Sequence, residues 1–393
     1  MTALARHLSA IREEFPVFAS LAYLNTGTSG PLARRTARAI GSRAEQQLLQ
    51  GRSNFKTFLE DYFPLLDELR SRFARVLGAA NDEIALTHHT TDGMNIAVWG
   101  INWQPGDEIV TTTEEHDGAS LPVYAAARRH GLTLRVVDVG SDDASIIERL
   151  AGAISRRTRL VVVSHVFFKT GTVLPLAEIA RVTHQAGALL AVDGAQSAGA
   201  IPIDVDALGV DFYAIPGQKW LCGPEGVGAL FVRRDRVSEL SPTFVGFFSI
   251  RDFLAFDASG YFIPAPGARR YEVGTVYWPA LYGMVESLRW MEEALGYEAI
   301  FEQCAAMTRR CREILADVPG LTIHSPARHA GLTSFSVAGL EPATAAQALA
   351  EMGVVIRSVH DPDYLRVSTS FYNDESDVAR LRDGLIALQG KGR

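Results

Sequence analysis

The chain has 393 residues, of which 47% are hydrophobic and 21% charged, an ordinary globular composition with room for two domains or one large one. A formal net charge of −7 excludes a general affinity for nucleic acid or an anionic membrane. Three cysteines, Cys222, Cys304 and Cys311, make neither a disulfide framework nor a metal cluster of usual spacing, which suits a reducing cytoplasm.

The N-terminal MTALARHLSAIREEFPVF mixes charges among its apolar residues and lacks the apolar run of a signal peptide. No apolar stretch is long enough to span a bilayer. Residues 4–14 read as a short amphipathic helix. ASLAYLNTGTSGPL reads as a strand entering a Gly/Ser/Thr loop, with Pro31 at a helix start. Residues 33–50 and 57–78 have a helical apolar period. A regular alternation follows. EIALTHHTTDGMNIAVWGI is strand, polar loop and helix, and DEIVTTTEEHDGASLPVYAAARRHG and RLVVVSHVFFKTGTVLPLAEIARVTHQAG repeat that order. ALLAVDGAQSAGAIPI and VDFYAIPGQKW are strands with loops, and GVGALFVRR closes the series. The expected fold is α/β: a large domain with a mainly parallel sheet covered by helices. Residues 241–275 have no clean period and read as an irregular connection. Helices over 279–295, 298–316, 342–352 and 375–389, with short strands in LTIHS, LTSFSVA, VVIRSV and YLRVST, give a smaller α+β C-terminal domain. The division is 15–265 for the large domain, with 1–14 and 266–393 in the small one.

In an open α/β sheet, ligands lie beyond the carboxyl ends of the strands, so the polar residues there are the candidates. After EIALT, Thr90 and Thr91 stand at a helix start, where free backbone N–H groups attract phosphate, although threonine also serves there as a plain cap. His116, in EEHDG, is either a solvated histidine or an imidazole stacked on a planar ligand. Asp193 ends the apolar strand ALLAVD, so its carboxylate is close to buried and needs a cationic partner, unless it caps a helix. Gln196 lies three residues on. Lys219, in GQKWLCGPEGVGAL, follows the next strand. It pairs with Asp193 as a buried ion pair, or both face a ligand with its own cationic ring nitrogen. Pyridoxal phosphate (PLP) fits the second reading: a lysine for the Schiff base, a carboxylate for the pyridinium nitrogen and a phosphate site.

Together THHTTDGMN, EEHDG, AVDGAQSAGAIPIDVDALGVDF and GQKWLCGPEGVGALFV resemble the class V aminotransferase and cysteine desulfurase superfamily of the aspartate aminotransferase fold. The likeness runs from YLNTG to LRVSTSFYN; the VSH…TG.VLPLA.I, VDGAQS…LGVDFYA and KW.CGP.GVG stretches most resemble cysteine/cystine C–S lyases, and the KWLC segment also resembles isopenicillin N epimerase-like proteins. The resemblance implies PLP held by a large PLP-binding domain. Lys219 would form the Schiff base and move protons at the substrate Cα. Asp193 would pair with the ring nitrogen, Gln196 with the ring hydroxyl, and His116 would stack on the ring. Thr90, Thr91 and Gln218 would serve the phosphate. Thr275, in EVGT, would reach a neighbour's phosphate across a homodimer interface. Arg366 would clamp the substrate carboxylate, with Arg357 assisting and Asn25 in the substrate-side loop.

Three departures bear on the reaction. Pro216, Gly217 and Gln218 replace the Ser-x-His that precedes the lysine in desulfurases. Phe167 or Phe168 stands where many relatives place an asparagine. VVIRSVHDPDYLRVST lacks the mobile cysteine that accepts sulfur. The expectation is therefore a PLP-dependent lyase acting by β-elimination on cysteine, cystine or an S-conjugate. The alternatives are an epimerase, an aminotransferase, or an oxidative or decarboxylating enzyme. His360 is either an acid toward the leaving group or an exposed loop histidine, and Lys169 either binds a distal substrate charge or is solvated.

Overall fold

A computed structural model describes residues 2–391 except Ser53 and Phe253. A short strand β1 (Ala22–Tyr23) precedes the main sheet, which is built from β2 (Ile84–Thr87), β3 (Glu108–Thr112), β4 (Thr133–Val137), β5 (Thr158–Ser164), β6 (Leu189–Asp193), β7 (Phe212–Pro216) and β8 (Gly228–Val232). Their order is β2-β8-β7-β6-β5-β3-β4. β8 runs antiparallel to both β7 and β2, and every other adjacent pair is parallel. All five residues of β3, β6, β7 and β8 are buried, as a sheet covered on both faces requires. Two apolar cores flank it. One holds Val161, Val163, Leu190 and Tyr213, and the other holds Leu160, Val162, Ala191 and Ala214. Alternate residues of one strand thus face opposite layers.

The sequence expectation of a mainly parallel α/β sheet holds, with two differences. β4 and the helix Asp143–Ala153 behind it are absent from the expected series. β4 is the edge strand and its residues are exposed or half-buried, so TLRVV carries a polar pattern rather than a buried run. Pro31 does not open a helix: the helix starts at Arg34, after an extended Ala33.

The C-terminal sheet has β9 (Leu321–Ile323), β10 (Leu332–Val337), β12 (Arg357–Val359) and β13 (Tyr364–Ser368) in the antiparallel order β12-β13-β10-β9, while β11 (Val354–Val355) pairs with β1. The helices Pro342–Glu351 and Glu375–Lys391 contribute Leu349, Leu381 and Leu385 to its core. The helix Trp278–Arg289 packs on Arg34–Gln50 and Phe63–Leu77, and its Leu281, Met284 and Leu288 join the first core of the large sheet. No helix among the described residues is long and apolar enough to cross a membrane.

Candidate active site

The strands of the large sheet end at a cavity of about 490 Å³, closed on the far side by the C-terminal sheet. Thr90, Thr91, His116, Asp193, Gln196, Gln218, Lys219, Arg357 and Arg366 all line it. Two sequence candidates do not. Asn25 sits behind the loop, where its Oδ1 accepts a hydrogen bond from Thr28 Oγ1 at 2.8 Å, and Thr28 lines the cavity in its place. Thr275 is exposed and borders two other clefts on the surface.

The helix Thr90–Trp99 points its first turn into the cavity. Its cap is neither threonine but His89, whose Nδ1 accepts from the Asp92 N–H at 3.0 Å. Capping from outside leaves Thr90 Oγ1 buried without a partner, as are Gln218 Oε1 and Arg366 Nε. Buried polar atoms are nearly always hydrogen-bonded, so three such atoms on residues lining one cavity mark a polar ligand. Close packing tightens the wall, since a Cβ on Gly118 would come within 2.4 Å of Thr91 Oγ1.

His116 caps the helix Asp117–His130: its Nδ1 accepts from Gly118 N–H at 3.0 Å, which puts the ring proton on Nε2. Burial, with the Lys219 charge adding to it, lowers its pKa, so the ring stays neutral. Phe168 meets it edge-on at 5.0 Å. The preceding residue, Glu115, is buried, and no cation among the described residues pairs with it. Its two oxygens accept from Thr112 Oγ1 at 2.7 Å and Ser164 Oγ at 2.6 Å. Burial pushes its carboxyl up to about 7, the two hydroxyls opposing and Asp193 adding to the rise.

Asp193 is 5% exposed, and its Oδ1 accepts from the Ala195 N–H at 2.8 Å. No helix follows it, so this capped turn leaves its other oxygen to the cavity. Lys219 stands one strand away. Burial lowers its amine to about 8 against the pull of Asp193, with Arg366 and Arg357 helping to disfavour the charge. At neutral pH a measurable fraction is the free amine.

Arg357 and Arg366 are cross-strand partners on β12 and β13. Arg366 is wholly buried. Its Nη1 donates to Phe168 O at 2.8 Å and its Nη2 to Thr28 Oγ1 at 3.2 Å. Burial, with Arg357 beside it, pushes its guanidinium down to about 9. Among the described residues no carboxylate pairs with either arginine, an arrangement that suits an incoming anion. Lys169 is buried beside this wall and donates to Asp361 O at 2.6 Å, while His360 is exposed and meets Asp363 at 3.2 Å. Neither lines the cavity. His89 and Thr28 escaped the sequence reading, although HHTTDG and NTGTSG carried the signal: polar residues at the end of β2 and in the loop after β1.

A parallel α/β sheet with a lysine and a carboxylate at adjacent strand ends defines a class, and the sequence agrees. The chain matches the aminotransferase class-V family over residues 23–381 and belongs to it. Among its relatives, the isopenicillin N epimerase of Streptomyces clavuligerus is 33% identical, over 94% of this chain and 95% of its own. A probable cysteine desulfurase of Methanothermobacter thermautotrophicus is 29% identical over 97% and 98%. Among solved structures, the cystine C–S lyase C-DES in complex with its reaction product cysteine persulfide has a TM-score of 0.88 and 32% identity, covering 95% of this chain and 99% of that one. A mutant of C-DES with glycine covalently linked to the PLP cofactor gives 0.89 and 32%, over 95% and 98%.

Proposed function

We propose that this chain is a PLP-dependent C–S lyase that cleaves cysteine, cystine or a related S-conjugate by β-elimination. The cavity fits the cofactor. Thr90 Oγ1 and the first-turn N–H groups offer an anion site at one end, Asp193 offers a carboxylate for a cationic ring nitrogen, and Lys219 an amine held partly unprotonated. When bound, the cofactor supplies an electron sink that lets a substrate lose its Cα proton.

The protein's own residues do the rest. Lys219 would hold the cofactor carbonyl until the substrate amine displaces it, and its freed amine would then take the Cα proton. Asp193 would hold the ring nitrogen protonated. His116, neutral and fixed by Gly118, would cover the ring face. Arg366 would take the α-carboxylate, for which its rigid fork and unpartnered Nε are suited, and Arg357 would add charge from the next strand.

The observation that carries elimination over desulfuration is the state of the thiols. A desulfurase needs an accessible thiolate to take sulfur. Cys222, Cys304 and Cys311 are all buried, Cys304 and Cys311 pushed up to about 12 by burial and Cys222 higher still. Sulfur therefore leaves on the product. Cystine and water give pyruvate, ammonia and cysteine persulfide. Product analysis with L-cystine and L-cysteine tests this. Pyruvate and ammonia in equal amounts support elimination, alanine would overturn it, and racemised substrate would favour the epimerase reading.

The same proposal includes a homodimer. Leu48, Leu49, Phe55, Phe244, Leu254, Tyr261 and Tyr277 are exposed, apolar surface that a second copy would cover. Thr275 is exposed in a cleft it shares with Gln47, Phe58 and Tyr277. From there it would complete the phosphate site of the partner. The buried free thiols favour a cytoplasmic setting.

A further inference from the structure

Gln196 has the freedom of three side-chain torsions and stands in a turn, not in a helix or strand that would restrain it. Yet both ends of its amide are fixed. The indole Nε1 of Trp220 donates to Gln196 Oε1 at 3.0 Å, and Gln196 Nε2 donates to Gly27 O at 2.8 Å. An indole N–H can only donate and a peptide carbonyl can only accept, so these partners leave one orientation of the amide. Trp220 cannot shift to relax the contact. It is 0% exposed, packs with Ala200 and Leu332, and presses so closely on Gly331 that a Cβ there would sit 2.4 Å from its ring. Gly27 is equally confined, since a Cβ on it would lie 3.1 Å from Gln196 Oε1.

We infer that Trp220 is a positioning residue: its indole N–H locks the Gln196 amide so that the one remaining amide hydrogen serves the cavity and meets the ring oxygen of the cofactor. The inference rests on the PLP reading above. Without the lock the amide can flip or swing, and a carbonyl oxygen would then face an oxygen. The lock also ends on Gly27, next to the Thr28 hydroxyl that holds Arg366, so the ring side and the carboxylate side of the cavity share one loop.

The test is a pH titration of the visible band of the cofactor-loaded enzyme without substrate. A hydrogen donated to the ring oxygen favours its anionic form, so losing that donor moves the midpoint upward, by about half a pH unit for one ordinary hydrogen bond. Trp220→Phe and Gln196→Leu should each raise the midpoint, and the double variant should rise no further than Gln196→Leu alone, because the tryptophan acts through the glutamine. Replacing Trp220 by β-(3-benzothienyl)alanine, which keeps the bicyclic shape without the N–H, should reproduce the shift and guards against a folding defect in Trp220→Phe. A wild-type midpoint in the benzothienyl variant, or additive shifts in the double variant, would overturn the lock. An unshifted Gln196→Leu would overturn the contact to the ring oxygen, and the inference with it. A wild-type protein that takes up cofactor without a visible band would overturn the PLP reading itself.

Discussion

The floor of the cavity and the exposed segment around Thr275 are built on opposite principles. Asp193 ends β6 and Gln196 and Lys219 follow β6 and β7, two wholly buried strands in register, and Asp193 and Gln196 are held by hydrogen bonds from their own chain. The described residues of the 244–277 segment have isolated bridges and one 3-10 turn, Gly267–Tyr271, and display Phe244, Phe256, Tyr261, Phe262 and Tyr277 to solvent. The first region is formed within one chain, and the second is surface that the proposed second copy would cover.

The largest expected effect is on the floor. Lys219→Ala should abolish the visible band and lower turnover by at least about a thousandfold, as loss of a nucleophile does; a spectrum like the wild type would move the Schiff-base lysine elsewhere. Arg366→Ala should lower kcat/KM by about 30- to 1,000-fold, the size of losing one side of a buried charge pair. If instead an unchanged KM accompanied full kcat, the carboxylate clamp would lie at another residue.

The pH dependence sharpens the floor further. Lys219 is lowered to about 8, so its amine is protonated below that pH and free above it. Cofactor uptake by the apoprotein, followed as growth of the visible band, should quicken by about tenfold from pH 7 to pH 9, following the free-amine fraction. A flat profile would mean that the amine is already free at pH 7. The smallest effect belongs to the exposed segment. Thr275→Ala should weaken cofactor retention by about 3- to 10-fold, one hydroxyl hydrogen bond, with kcat at saturating cofactor nearly unchanged. Retention equal to wild type at every protein concentration would remove Thr275 from the site.

The same contrast explains what could be read in advance. Polar residues that interrupt buried strands are conspicuous, which is why Asp193 and Lys219 stood out in ALLAVD and GQKW and why nine of the candidates share one cavity. β4 was not legible, because three of its five residues are exposed and none is buried, so TLRVV lacks the buried run of its neighbours. Trp220 carried no such signal, since nothing in KWLC says that its N–H meets a residue 24 positions earlier. Contacts between distant segments leave no periodic trace. Glu115 is the intermediate case: an acid in EEHDG looks solvated until Thr112 and Ser164 are seen to enclose it.

Arg366 is bonded to Thr28 across 338 positions of sequence. During synthesis the loop of Thr28 leaves the ribosome long before β13 does. At about 5–20 residues per second the interval is roughly 17–70 s. For the last 147 residues of that interval, about 7–29 s, the nascent chain has Asp193 and Lys219 but not yet Arg366. The Arg357–Arg366 wall of the cavity is thus completed last, and Lys219 is made before the arginines it is proposed to work with.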